Sequence, residues 1–140
     1  MRILFDTNII LDVLLNRKPF VNISSKLVAE AESGLIDGFL CATTITTLDY
    51  LISKASSRRQ ARSTIKKLLT IFSIAEVNTQ VLMLALSSNF SDFEDTVQYY
   101  SAERKNSVGI VTRNAKDYKS THLAIYSPEE LWGMVSALRQ

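Results

Sequence analysis

The chain has 140 residues, 46% of them hydrophobic and 21% charged, which gives room for one self-supporting domain of ordinary globular composition. Sixteen Lys and Arg against fourteen Asp and Glu leave a formal charge of +2, too small by itself to argue for a polyanionic partner. A single cysteine and a single histidine exclude an internal disulfide and give poor support to zinc chemistry or a Ser-His-Asp triad.

An apolar run, Ile3-Leu4-Phe5, reads as a short strand ending at Asp6-Thr7-Asn8. Asp6, Asp12 and Asn16 interrupt the apolar residues that follow, so the N-terminus fits neither a signal peptide nor a membrane span. A cytoplasmic protein without a membrane partner is expected. Ile10, Val13 and Leu14 recur at helical spacing, and a second helix is predicted over Val21 to Ser33, stopped by Gly34. A strand over Phe39 to Thr43, holding Cys41 as a buried, inert thiol, leads to a helix with Leu48, Leu51 and Ile52. Ser56-Ser57 opens a basic helix burying Ile65, Leu68 and Leu69. Its Arg58, Arg59, Arg62, Lys66 and Lys67 suit a solvated face and an RNA-gripping face equally.

Phe72 to Val77 is predicted as a strand and Thr79 to Leu86 as a helix. Ser91 with Glu94 three residues on forms a capping box, starting a helix near Asp92; Tyr99 and Tyr100 on it read as core before base-stacking. Ser107 to Thr112 is a predicted strand after a Lys105-Asn106 turn. A last strand near Ala124 to Tyr126 precedes a helix capped by Ser127 with Pro128 at its first position. Strands alternating with helices predict an α/β fold over residues 1–140, a single domain with a mainly parallel central sheet.

In such sheets ligands gather outside the carboxyl ends of the strands. Asp6 ends the first strand, Asp95 lies in the first turn of the helix near Asp92, and Asp117 follows the Val108–Thr112 strand. Two carboxylates ~4 Å apart repel by about 4 kcal/mol at an effective dielectric of ~20, so gathering them calls for a cation or a raised pKa. Oxygen ligands without His or Cys suit Mg²⁺ or Mn²⁺. Each acid also has a structural reading: Asp6 as a helix cap, Asp92, Glu94 and Asp95 as partners of a helix dipole, Asp117 as a turn residue. A phosphoacceptor signalling domain would need an adjacent acidic pair where Asp6 stands alone.

Four stretches, in order, resemble one family. Ile3-Leu4-Phe5-Asp6-Thr7-Asn8-Ile9-Ile10-Leu11-Asp12 is similar to the start of PIN domains. Ser91-Asp92-Phe93-Glu94-Asp95-Thr96-Val97-Gln98-Tyr99-Tyr100 resembles their third motif, Gly109-Ile110-Val111-Thr112-Arg113-Asn114-Ala115-Lys116-Asp117-Tyr118 their fourth, and Tyr126-Ser127-Pro128-Glu129-Glu130-Leu131 their usual ending. The resemblance implies a three-layer PIN-like domain and a Mg²⁺- or Mn²⁺-dependent endoribonuclease. Short members are commonly toxins of VapBC-type toxin–antitoxin pairs, so an RNA substrate, a small antitoxin partner and a homodimer are implied.

Residue by residue, Asp6 and Asp95 match metal-binding acids, Thr7 and Asn8 the polar pair beside the first, and Asn114, with Asp117 close behind, the fourth position. Arg113 and Lys116 flank it as candidates for RNA phosphate. The second acid departs from the pattern: Thr43-Thr44-Ile45-Thr46-Thr47-Leu48-Asp49-Tyr50 offers Asp49 alone, and a shifted register would put Thr46 or Thr47 in its place. The alternative function is a non-catalytic PIN-like RNA- or protein-binding module with a degenerate metal site.

Overall fold

Ile3, Leu4 and Phe5 are wholly buried, as a strand covered on both faces of a parallel sheet must be. They belong to β1 (Arg2–Phe5) of a computed structural model that describes residues 1–88, 92–107, 109–118 and 122–139. With β2 (Asp37–Cys41), β3 (Ser73–Ala75), β4 (Gly109–Val111) and β5 (Ala124–Tyr126) it forms a sheet of order β3-β2-β1-β4-β5. Every pairing is parallel.

The chain winds outward from β1 through α1 (Thr7–Leu14), α2 (Val21–Ser33), β2, α3 (Ala42–Ala55), α4 (Arg58–Ile71) and β3. It then returns through α5 (Thr79–Leu86) and α6 (Phe93–Arg104) to β4, on the opposite side of β1, and ends with β5 and α7 (Pro128–Leu138). Alternate side chains of a strand face opposite ways, and this sorts the helices. Ile3, Phe5, Leu40 and Val111 pack towards α1, α2, α3, α4 and α7, whereas Leu4, Phe39, Cys41 and Ile110 pack towards α5 and α6. The result is the expected three-layer α/β arrangement. Between β1 and β4 the direction of winding reverses, which opens a crevice at the carboxyl ends of those two strands.

Local chemistry sets most helix ends. Gly34 closes α2 in the left-handed region at φ 92°, where a glycine has no Cβ to clash. Ser57 caps α4 and Asn78 caps α5 through side-chain oxygens; Ser127 and Glu130 form a capping box on α7, with Pro128 at the first position.

Some boundaries move. The strand expected over Phe39 to Thr43 lies at Asp37–Cys41, and its threonines enter α3 instead. There Thr46 Oγ1 donates to the Thr43 carbonyl and Thr44 Oγ1 pairs with Thr7 Oγ1 at 2.8 Å, so hydroxyl bonding offsets weak helix propensity. The β3 and β4 strands are shorter than expected, Phe72 being the C-cap of α4. Leu69 is exposed, because the buried stripe of α4 runs through Ala61 and Leu68. Ser91 lies outside the described residues; Asp92 caps α6 by accepting the Asp95 backbone N–H.

The close approach of β4 and β5 leaves no room for a side chain at Gly109. A Cβ there would lie 2.8 Å from the Ala124 carbonyl oxygen and 2.7 Å from the Tyr126 ring. Gly109→Ala is therefore expected to destabilise the protein by about 1–3 kcal/mol through overpacking, read as a lower urea midpoint with unchanged slope.

Candidate active site

The crevice at the strand switch point holds a cleft of about 250 Å³, lined by Asp6, Thr7, Asn8, Asp92, Glu94, Asp95, Gln98, Asn114 and Asp117, with Thr47, Leu51 and Leu11 on one wall. Asp6 follows β1 and stands at the N-cap of α1, yet its side chain makes no capping bond. It is 2% exposed. Thr112, at the end of β4, donates its hydroxyl to Asp6 Oδ2 at 2.7 Å, and Gln98 Nε2 of α6 donates to Oδ1 at 3.2 Å. The Asp6 backbone N–H adds a bond to the Val111 carbonyl at 3.0 Å. Two neutral donors thus fix the carboxylate without neutralising it.

Helix α6 brings the other acids. Its first turn places Glu94 and Asp95 at the helix N-terminus, beside the Asp92 cap, where the dipole favours negative charge. Burial pushes the Asp95 carboxyl up to about 7, aided by the nearby charges of Asp6, Asp92, Asp117 and Glu94. Glu94 is also held above its ordinary value, first by desolvation and then by Asp92 and Asp6. One turn beyond Asp95, Gln98 keeps its amide oxygen buried without a hydrogen-bond partner among the described residues. From the β4 side, the Asn114 N–H donates to Thr112 Oγ1 at 3.0 Å, and Asp117 sits on the 3₁₀ turn Ala115–Asp117.

The pattern that defines the PIN domain family matches residues 2–116. The chain belongs to the PIN domain family. A curated relative, ribonuclease VapC1 of Aquifex aeolicus (strain VF5), is 28% identical over 134 residues, 92% of each chain. Two solved structures share the fold. VapBC-1 from nontypeable Haemophilus influenzae matches with a TM-score of 0.68 at 20% identity, over 92% of this chain and 99% of the other. VapBC2 from Rickettsia felis, bound to a DNA fragment from its promoter, matches with a TM-score of 0.64 at 18% identity, over 91% and 98%.

Not every residue expected at this PIN domain's site lines the cleft. Asp49 is turned away, its Oδ1 accepting from Arg62 Nε of α4 at 2.9 Å. Two residues along a helix rotate the side chain by about 200°. Asp49 therefore lies on the flank of α3 opposite the one that presents Thr47 and Leu51 to the cleft. Thr47 faces the acids from α3. Arg113 is also engaged elsewhere, its fork on Asp12 and its guanidinium 3.9 Å above the Phe20 ring centroid. Lys116 is exposed on the 3₁₀ turn. Gln98 and Thr112 escaped the sequence reading; Gln98 stands three residues after Asp95, on the same helical face, a signal that a search for acids alone passes over.

The donor set fits a hard divalent cation. The side-chain donors at this cleft are carboxylate, amide and hydroxyl oxygens, which suit Mg²⁺ or Mn²⁺, and Asp95 is under like-charge repulsion that a cation would relieve. Among the described residues no three His, Cys, Asp or Glu side chains stand close enough together to hold a metal ion as they are, so the fit rests on donor type and on the like charge around Asp95.

The raised carboxyl of Asp95 has two measurable consequences. The folded state holds this proton between about 3.8 and about 7 while the unfolded chain has lost it, so this group makes the fold less stable as pH rises across that window, levelling off above it. Asp95→Asn is expected to stabilise the metal-free protein at pH 8 by about 1 kcal/mol, allowing for screening of a half-buried group. The same change should remove Mn²⁺ binding in calorimetry. In the wild type, Mn²⁺ affinity should fall by about tenfold per pH unit below 7, since binding displaces one proton.

Proposed function

We propose that this PIN domain is a VapC-type endoribonuclease, the toxin of a toxin–antitoxin pair, which hydrolyses RNA phosphodiester bonds with Mg²⁺ or Mn²⁺. The observation that carries this reading is the gathering of Asp6, Asp92, Glu94 and Asp117 around a half-buried Asp95. Among the described residues no Lys or Arg pairs with Asp6 or Asp95. The ribonuclease name of the Aquifex relative and the family membership support it.

A bound divalent cation would polarise a phosphoryl oxygen and make its water a better nucleophile. Asp6 and Asp95 are the residues proposed to hold it, with Asp117 and Asn114 on the opposite wall. Thr112 and Gln98 keep the Asp6 carboxylate from rotating, so its oxygens are presented in one orientation. Thr7, bonded to Thr44 across α1 and α3, braces the wall beside Asp6, and Asn8 and the exposed Lys116 are the groups proposed to meet RNA. Hydrolysis needs no covalent intermediate: water adds to phosphorus, the phosphorus–oxygen bond to the leaving nucleotide breaks, and that oxygen takes up a proton.

The proposed setting is cytoplasmic, with a small antitoxin as partner, as in the VapBC assemblies that share the fold. A homodimer is proposed too: Met83 and Leu86 of α5 and Phe93 of α6 leave large apolar side chains exposed for a second copy to cover. Thr47, where α3 offers the cleft no acid, favours the second reading, a PIN-like binding module with a degenerate metal site.

Cleavage of a generic single-stranded RNA separates the two. Mn²⁺-dependent cleavage that drops by about 10²-fold or more in Asp6→Asn is expected, in line with losing a group that acts at the reacting phosphate. Asp49→Asn should cleave at close to the wild-type rate. RNA retention without cleavage by the wild type would establish the binding module instead.

A further inference from the structure

A second aspartate of α1 is buried as deeply as Asp6 but is differently satisfied. Asp12 is 0% exposed. Arg113 Nε donates to its Oδ2 at 2.6 Å and Nη2 to its Oδ1 at 3.2 Å, a bidentate fork, while Arg17 Nη1 stands 3.6 Å from Oδ1. Phe20 covers the guanidinium. A buried charge is tolerated when it is paired in this way. Asp12 does not itself line the cleft, although Leu11 beside it does, and nothing in the local sequence ties it to Arg113, 101 residues away.

The neighbours of Arg113 are what make the pair consequential. Thr112, on one side, orients Asp6; Asn114, on the other, lines the cleft and accepts the Asp117 N–H at its carbonyl at 2.9 Å. The segment after β4 is thus fastened to α1 at two points, Asp6 with Thr112 at the start of the helix and Asp12 with Arg113 further along it. The Thr112 N–H is also tied to β5, donating to the Tyr126 carbonyl at 2.9 Å, so the Asp12–Arg113 pair is the tie that acts beyond the sheet. Asn114, directly after Arg113, follows wherever that side chain is held.

We propose that Asp12 is a positioning residue for the metal-dependent site: by gripping Arg113 it sets the Thr112–Asn114 segment, and through it the orientation of Asp6 and the placing of Asn114 and Asp117. Arg113 is accordingly a strut rather than a phosphate contact. The proposal rests on the metal-dependent reading of the cleft.

The test uses Asp12→Asn in the full chain, with Mn²⁺ alone as the probe. Supporting residues behind a metal site typically cost 10–100-fold in affinity or activity when removed. Mn²⁺ affinity by electron paramagnetic resonance titration should therefore fall by about tenfold or more. Amide hydrogen exchange at Asn114 and Asp117 should quicken, with β1 and β2 amides unchanged. In RNA cleavage the loss should appear in kcat with little change in KM, and Asp12→Glu should recover part of it. Unchanged Mn²⁺ affinity, or faster exchange spread over the whole fold with the cleft amides no worse than the rest, would overturn the proposal. Should Asp12→Asn fail to fold, Arg113→Lys keeps the charge and removes the fork, and the same readouts decide. A wild-type chain that binds no Mn²⁺ would sink the metal reading, while exchange at Asn114 and Asp117 would still decide whether the clamp sets the segment.

Discussion

The Asp6 carboxylate is buried and held by hydrogen bonds from Thr112 and Gln98, and this bond pair joins the three segments on which the site depends. Those bonds satisfy the oxygens as acceptors, but neutral donors leave the negative charge in place. Six residues along the same helix, Asp12 shows the other solution, with two arginines around an equally buried carboxylate. A protein that can neutralise one buried aspartate and leaves its neighbour charged has kept electrostatic demand at a chosen place. Asp95 and the acids around it raise that demand further, at a cost to the stability of the empty fold.

Topology explains why the demand can be concentrated there. The strand order β3-β2-β1-β4-β5 puts β1 and β4 side by side with their connections leaving in opposite directions. The chain cannot cover the crevice between them with a simple crossover. Into that space come the residues just after β1, those just after β4, and the N-terminus of α6, whose dipole tolerates acids in its first turn. Helix α3 supplies the remaining wall, but with Thr47 and Leu51, so the negative charge is weighted to the α6 side.

Much of this was legible in the sequence because it is local. The apolar run before Asp6, the acids at the start of α6 and the Pro128 helix start all declare themselves within a few residues. So does the Gly34 stop. Asp49 shows where local reading ends. Leu48 and Ile52 fix the phase of α3, placing residues 47 and 49 on opposite flanks, but which flank meets the cleft depends on where α4 packs. The choice of Asp49 followed residue type rather than geometry. Arg113 shows the same limit: a cation beside an acidic motif suggests phosphate, and its fork on Asp12, 101 residues away, is visible only in the fold. Gln98 and Thr112 are ordinary polar residues in their own segments and acquire meaning only when the sheet closes against α6.

The separation along the chain between Asp6 and the groups that hold it also has a consequence for when the site can exist. Gln98 is 92 residues downstream and Thr112 is 106, so Asp6 is held only once both of those later segments have been made. Contacts of such long range close late in folding, after the local helices and the β1–β2 pairing have formed, and synthesis runs from the N-terminus. A nascent chain carrying β1 to β3 and four complete helices would still lack a fixed Asp6, an Asp95 and the α1 clamp. The cleft around Asp6 therefore cannot be complete until the segment through Thr112 has been made, a delay written into the strand order itself.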